Sequence, residues 1–213
     1  MKITREIIEK SPKKYFLKGK KKQADVFLIE VEGKKIIIKD YYPKKGLVKK
    51  YGKYIIKREY LSYKKLQKFQ FVPRVYCMPD KYSLAIEFIE GKTFGEVEKK
   101  EEYCFAVKEL QKCLVELHRN NIFHLDLRKR GNIIIKDKKV YLIDFASMIF
   151  LKPYSPLMIF KPIFKYADTS SIVKWKSFIC PSQLTQEDLK KLKKFEFLRM
   201  LWIFNKPRIP GKK

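Results

Sequence analysis

A chain of 213 residues with 46% hydrophobic content can bury a core, so global disorder is excluded. Its 50 Lys and Arg against 23 Asp and Glu leave a formal charge of +27. That excess implies an anionic partner (phosphate ester, nucleic acid or acidic membrane face), or else a lysine bias spread over the whole chain.

Cysteines stand at 77, 104, 113 and 180 without a C-x-x-C pair, and there are only two His, which argues against a structural zinc site. Such scattered spacing predicts reduced thiols in a cytoplasmic protein. The opening MKITREIIEK is charged where a signal peptide needs an apolar run, and no stretch is long and apolar enough to span a bilayer.

In chain order, Tyr15–Leu17 reads as a short strand, Gly19–Ala24 as a basic turn and Asp25–Val31 as a β-rich run. Glu32-Gly33-Lys34 signals a hairpin into a third strand over Lys35–Tyr41. Residues 48 to 69 change to helical periodicity through Tyr54, Ile55, Tyr60, Leu61 and Leu66. Val72–Tyr76 and Ser83–Glu87 read as two more strands, and Gly91 breaks the pattern. A second amphipathic helix is predicted over 101–119, then a hairpin pairing 133–135 with 140–143. Pro153, Pro156 and Pro162 interrupt the apolar run 148–164, which is expected to pack as core, with an interfacial position as the alternative. Residues 172–179 look helical. Thr185 and Asp188 form the two ends of a capping box that opens a basic, aromatic helix running to Trp202.

The densest chemistry lies in His124-Leu-Asp126-Leu-Arg128-Lys-Arg-Gly-Asn132 and in Tyr141-Leu-Ile-Asp144-Phe145-Ala146. A loop carboxylate can accept a hydroxyl proton, and a second, helped by an Asn, can hold Mg²⁺ on nucleotide phosphates. Singly, each residue is ordinary: Lys39 a solvated strand lysine, Glu59 a helix-surface acid, Asp126 and Asp144 turn residues.

In order and in register they are more informative, and here the chain resembles the protein-kinase-like superfamily. The resemblance rests on His124-x-Asp126 with Asn132, on Asp144-Phe145-Ala146, on Ile36-Ile-Ile-Lys39, on Glu59 and on Glu87-Phe88-Ile89. It implies a bilobal α+β fold. Residues 1–88 would form an N-lobe with a five-stranded antiparallel sheet and one helix, and 89–213 a shortened helical C-lobe, together a single kinase-like domain. It also implies ATP and Mg²⁺ as cofactors. Lys39 would reach the phosphates with Glu59 as its ion-pair partner, Glu87 and Ile89 would flank the adenine, and Gly19 would sit in the phosphate-covering turn. Asn132 and Asp144 would hold metal, and Asp126 and Arg128 would be catalytic.

Departures from the superfamily pattern narrow the choice. Asn132 lies six residues after Asp126 rather than five, with Gly131 expected to absorb the extra residue. The turn at Gly19 has one glycine and three lysines, and no Ala-Pro-Glu follows Ala146. The compact C-lobe is similar to RIO-type kinases and to lipopolysaccharide core kinases acting on heptose or 3-deoxy-manno-octulosonic acid. The expected acceptor is accordingly a lipopolysaccharide-type sugar hydroxyl or another anionic, lipid-linked molecule, with peripheral contact on the inner membrane face. The alternatives are a RIO-like Ser/Thr protein kinase and a catalytically idle fold that binds membrane or RNA.

Overall fold

The computed structural model describes residues 3–19, 23–97 and 100–201. In chain order its elements are α1 (Arg5–Lys10), β1 (Lys14–Leu17), β2 (Asp25–Val31), β3 (Lys34–Asp40), α2 (Gly46–Leu66), β4 (Val75–Asp80), β5 (Ser83–Glu87), β6 (Lys92–Thr93), α3 (Cys104–Arg119), β7 (Ile122–Phe123), β8 (Ile133–Lys136), β9 (Lys139–Leu142), β10 (Ile149–Phe150), α4 (Lys161–Ile179) and α5 (Gln186–Leu201). Contacts group them into two units: Met1–Gly95 with Gly131–Met148, and Glu96–Arg130 with Ile149–Lys213.

The first unit is built on a five-stranded antiparallel sheet in the order β1-β2-β3-β5-β4. The β2–β3 turn closes through Glu32 and Gly33, both at positive φ, as a tight hairpin of right-handed strands requires. Side chains alternate along β3. Ile36, Ile38 and Asp40 point to one face, where Ile36 and Ile38 join Ile3, Ile8, Phe27, Ile29 and Ala85 in the core. Asp40 on that face accepts from Arg5 of α1 at 2.8 and 2.9 Å. Arg5 also bonds Asp80, tying α1 to two strands. This helix was not anticipated, although Thr4 caps it by accepting from the Ile7 N–H.

The strand expected over 72–76 is found at Val75–Asp80. Pro73 cannot donate to a ladder, and pairing starts only after it. The strand's own Pro79 is tolerated because β4 is at the sheet edge. The predicted hairpin at 133–143 forms as β8–β9, with Asp137 and Lys138 both at positive φ in the turn. Strand β6 pairs with β8, and this explains Gly91: a Cβ there would meet the Ile135 carbonyl oxygen at 2.3 Å.

The second unit packs α3 against α4. Leu110, Leu114 and Leu117 of α3 and Trp175 and Ile179 of α4 are buried. Helix α4 begins eleven residues earlier than predicted, because Pro162 falls in its first turn, where a missing N–H costs nothing. The apolar run does not pack as core throughout. Met148 and Leu151 are buried, but Tyr154, Leu157, Ile159, Phe160 and Ile163 are exposed. The capping box forms: Thr185 Oγ1 accepts from the Asp188 N–H and Asp188 Oδ2 from the Thr185 N–H, both at 3.1 Å. Trp202 lies outside the described residues.

Reduced thiols throughout is an expectation the structure corrects. Cys104 and Cys180 are joined by a disulfide with Cα atoms 5.5 Å apart, while Cys77 and Cys113 are free. A separation of 76 residues hides the pair in the sequence. Packing of α3 on α4 brings the start of one helix to the end of the other. Among the described residues no helix is long and apolar enough to cross a membrane.

Candidate active site

In the first unit, the alternation that sends Ile38 and Asp40 toward α1 sends Lys39 to the opposite face, toward α2. Gly52, Ile56, Glu59, Tyr63 and Leu66 recur at three- and four-residue spacing as the buried stripe of α2. Glu59 therefore points inward among apolar neighbours and is 1% exposed. The Lys39 Nζ donates to both Glu59 carboxylate oxygens, at 2.7 and 2.9 Å, and to Asp144 Oδ1 at 3.0 Å. Those three bonds use the three donors of an ammonium. Burial works against the charge on Lys39, but Glu59 and then Asp144 outweigh it and hold the ammonium firmly protonated.

Asp144 is presented at the end of β9 with φ 65°, a left-handed conformation that costs a non-glycine residue about 1 kcal/mol or more. Surrounding contacts hold it there. Phe145 is fully buried with its ring edge-on to Tyr63 at 4.7 Å, and Arg58 of α2 donates to the Met148 carbonyl at 2.9 Å. The β8–β9 register pairs Ile133 with Leu142, and the Ile143 N–H donates to the Asn132 carbonyl at 3.1 Å. Asn132, 6% exposed, is thereby anchored at the same end of the hairpin as Asp144. One carboxylate and one amide oxygen donor form a hard set suited to Mg²⁺, which completes its shell with water and phosphate. Gly131 lies in a turn over Arg130–Asn132, and a Cβ there would meet nothing within 4 Å. The extra residue thus falls in a turn that includes Gly131, at a position with room for a side chain.

The remaining first-unit candidates are held by their main chains. The Glu87 N–H donates to the Arg74 carbonyl at 2.8 Å, and its carboxylate accepts from the Arg74 N–H at 2.9 Å. Phe88 stacks on Phe16 of β1 at 5.9 Å, and Ile89 is buried. The Gly19 N–H is committed to Asp25 and its carbonyl accepts from Lys44, at 2.8 and 2.9 Å. Lysines 20–22 of that turn lie outside the described residues.

The second unit carries the loop with His124, Asp126 and Arg128, and α4 fixes it. Asp168, 1% exposed, accepts from the His124 N–H at 3.0 Å and the Leu125 N–H at 2.7 Å, and lies 3.0 Å from His118 Nε2. Trp175 donates to the Leu127 carbonyl at 2.7 Å, and Lys174 donates to the Arg128 carbonyl. Arg128 itself donates to the Ser170 carbonyl at 3.1 Å, so its guanidinium is turned to α4. Asp126 pairs with Lys129 at 2.5 Å. Sequence reading missed Asp168. Its one signal is an acid within an otherwise apolar and hydroxylic helical turn, Ala167 to Ile172.

Comparison with known proteins accords with this geometry. The RIO domain matches residues 9–161, most of the chain. The chain belongs to the RIO domain family. Among solved structures, the Rio2 kinase of Chaetomium thermophilum in an ADP/Mg²⁺–phosphoaspartate complex superposes with a TM-score of 0.65 at 14% identity, covering 83% of this chain and 57% of that one. A second Rio2 structure from the same organism gives 0.58 at 13% identity, over 86% and 71%. The probable serine/threonine-protein kinase mkcB of Dictyostelium discoideum is 38% identical over 78 residues, 33% of this chain and 11% of the relative's length. The RIO resemblance and the α+β kinase-like fold stand. Similarity to lipopolysaccharide kinases and a sugar acceptor find no support in these matches, and the RIO-like alternative fits better.

Proposed function

We propose that this RIO-family chain is an ATP- and Mg²⁺-dependent atypical kinase that transfers a γ-phosphate to a protein serine or threonine hydroxyl. The observation that carries the reading is the partly buried Lys39–Glu59–Asp144 cluster, in which one ammonium is oriented by one fully buried carboxylate and shared with another. Lys39 neutralises and positions the nucleotide phosphates, and Glu59 keeps it extended from the sheet. The Glu87–Ile89 main chain receives the adenine, with Phe16 and Phe88 as an apolar surface nearby. Asp144 and Asn132 would hold the metal, which when bound would neutralise charge developing on the phosphoryl oxygens. Asp126 accepts the acceptor hydroxyl's proton, with the Lys129 ammonium beside it. Arg128 acts through Ser170 to keep the loop seated.

Incubation with labelled ATP and separate protein, lipid and RNA pools tests the acceptor, and label in protein alone is expected. Because a Rio2 complex carries a phosphoaspartate, the product is also treated with hydroxylamine, which cleaves an acyl phosphate and spares a phosphoester. Asp126→Asn is expected to lower turnover by roughly 10²–10⁴-fold while Mg-ATP still raises the melting temperature. Turnover near wild type in that variant rejects the assigned role. Absence of any Mg-ATP stabilisation of the wild type would favour the idle-fold alternative.

A further inference from the structure

Between Asp144 and Asp168 the chain has no acidic residue, while lysines stand at 152, 161 and 165. The same stretch exposes five large apolar side chains. Tyr154, Leu157, Ile159, Phe160 and Ile163 are 102, 52, 76, 45 and 61% exposed. Pro156–Phe160 form a 3-10 turn that runs directly into α4. Spacings of three and four residues then place Leu157, Phe160 and Ile163, and Ile159 with Ile163, on one outer side. The inner side is anchored within the second unit. Phe164 packs on Phe123 at 5.8 Å, and Lys161 donates to Asn121 at 2.6 Å. A clustered patch of this kind, unlike single exposed apolar residues, marks an interaction surface.

We propose that this face is an interfacial anchor that seats on an anionic lipid surface. Leu157, Ile159, Phe160 and Ile163 enter the boundary between headgroups and acyl chains, and Tyr154 sits at headgroup level. Lys152 and Lys165, which have no carboxylate partner among the described residues, meet the lipid phosphates. Charge complementarity selects this occupant. A second copy docked symmetrically would bring the same lysines together with no acid to offset them. Nucleic acid would gain phosphate contacts but leave the aliphatic side chains without a stacking partner. The inference is independent of the kinase reading, since its test measures binding and not turnover.

The full chain is sedimented with vesicles of phosphatidylcholine alone and of phosphatidylcholine mixed with phosphatidylglycerol. Binding to the mixed vesicles only is expected. The charge-neutral pair Ile159→Ser and Ile163→Ser, both at exposed positions, is expected to keep the wild-type melting temperature and lose at least about tenfold in partitioning. In a separate Tyr154→Trp variant, the new fluorescence is expected to shift to the blue on mixed vesicles and to be quenched by lipids with brominated acyl chains. Equal partitioning of wild type and the serine pair would reduce the binding to the chain's general +27 charge and overturn the proposal. So would failure of the wild type to bind mixed vesicles, an unshifted Tyr154→Trp spectrum, or concentration-dependent dimerisation abolished by the serine pair, which would assign the face to a second copy.

Discussion

Lys39 and Glu59 illustrate how surroundings set the charge and geometry of residues of ordinary type. A buried carboxylate is costly unless a cation meets it, and here the cation reaches it with two hydrogen bonds. Lys39→Met strands Glu59 in an apolar setting and is expected to cost about 3–5 kcal/mol, read as a lower urea midpoint with an unchanged slope. Adding Glu59→Gln to that variant should recover part of the loss, because the uncompensated charge is gone. A Lys39→Met chain as stable as wild type would mean the pair is not formed in solution. Cys113 contrasts with this cluster. Burial, then Glu109 and Glu116, push its thiol up to about 12, so it stays protonated and unreactive at neutral pH.

Helix α4 is the element that holds the loop of His124, Asp126 and Arg128. Two main-chain N–H groups of that loop have Asp168 as their acceptor. Asp168→Ala leaves both without it at about 1–3 kcal/mol each, and should lower turnover by loosening the segment that carries Asp126. Chemical denaturation and a kinetic assay on one preparation check the two effects, and unchanged turnover would remove α4 from the positioning of Asp126. The start of α5 is pH-sensitive. Burial pushes the Asp188 carboxyl up, but Lys176 and the Thr185 N–H and hydroxyl outweigh it and hold it below the usual aspartate range. A depressed group contributes stability above its unfolded-state value and loses it as pH falls through the lower folded value. Amide exchange in the first turn of α5 is therefore expected to quicken as pH drops below about 4 relative to pH 5–7, after correction for intrinsic rates. Asp188→Asn should flatten that dependence.

For the molecule as a whole, the disulfide has the longest reach. Closing the loop from Cys104 to Cys180 restricts the unfolded chain, and loop-closure entropy at this separation corresponds to about 4–5 kcal/mol of stabilisation. Reductant should lower the melting temperature of the wild type and leave Cys104→Ser unmoved. Alkylation before and after reduction should label two additional thiols in the denatured chain. Such a bond is unusual in a reducing compartment, so thiol counting on protein from the native source bears directly on the cytoplasmic expectation. The folded cores remain separate matters. The sheet unit is stabilised by isoleucine packing from β2, β3 and α1, and the helical unit by the α3–α4 contact around Trp175.

What could be read without coordinates was whatever is local and periodic. The strands over Asp25–Val31 and Lys34–Asp40, the existence of a helix over 48–69 and the hairpin after Asn132 follow from such local patterns, but the face of that helix does not: Tyr54 and Leu61 of the expected apolar face are exposed, and Glu59, singly a helix-surface acid, is buried with Ile56 and Tyr63. The order of Lys39, Glu59, Asp126, Asn132 and Asp144 also carried the family resemblance, since that order is a linear property. The tertiary structure decided what depends on distant segments meeting. It placed Asp168 under the loop of His124, closed Cys104 on Cys180, turned Arg128 toward Ser170 and left Ile159 and Ile163 exposed. No periodicity encodes those outcomes. An apolar residue on a helix looks the same in sequence whether or not another helix covers it, and a polar side chain's partner is chosen by packing that brings together residues tens of positions apart.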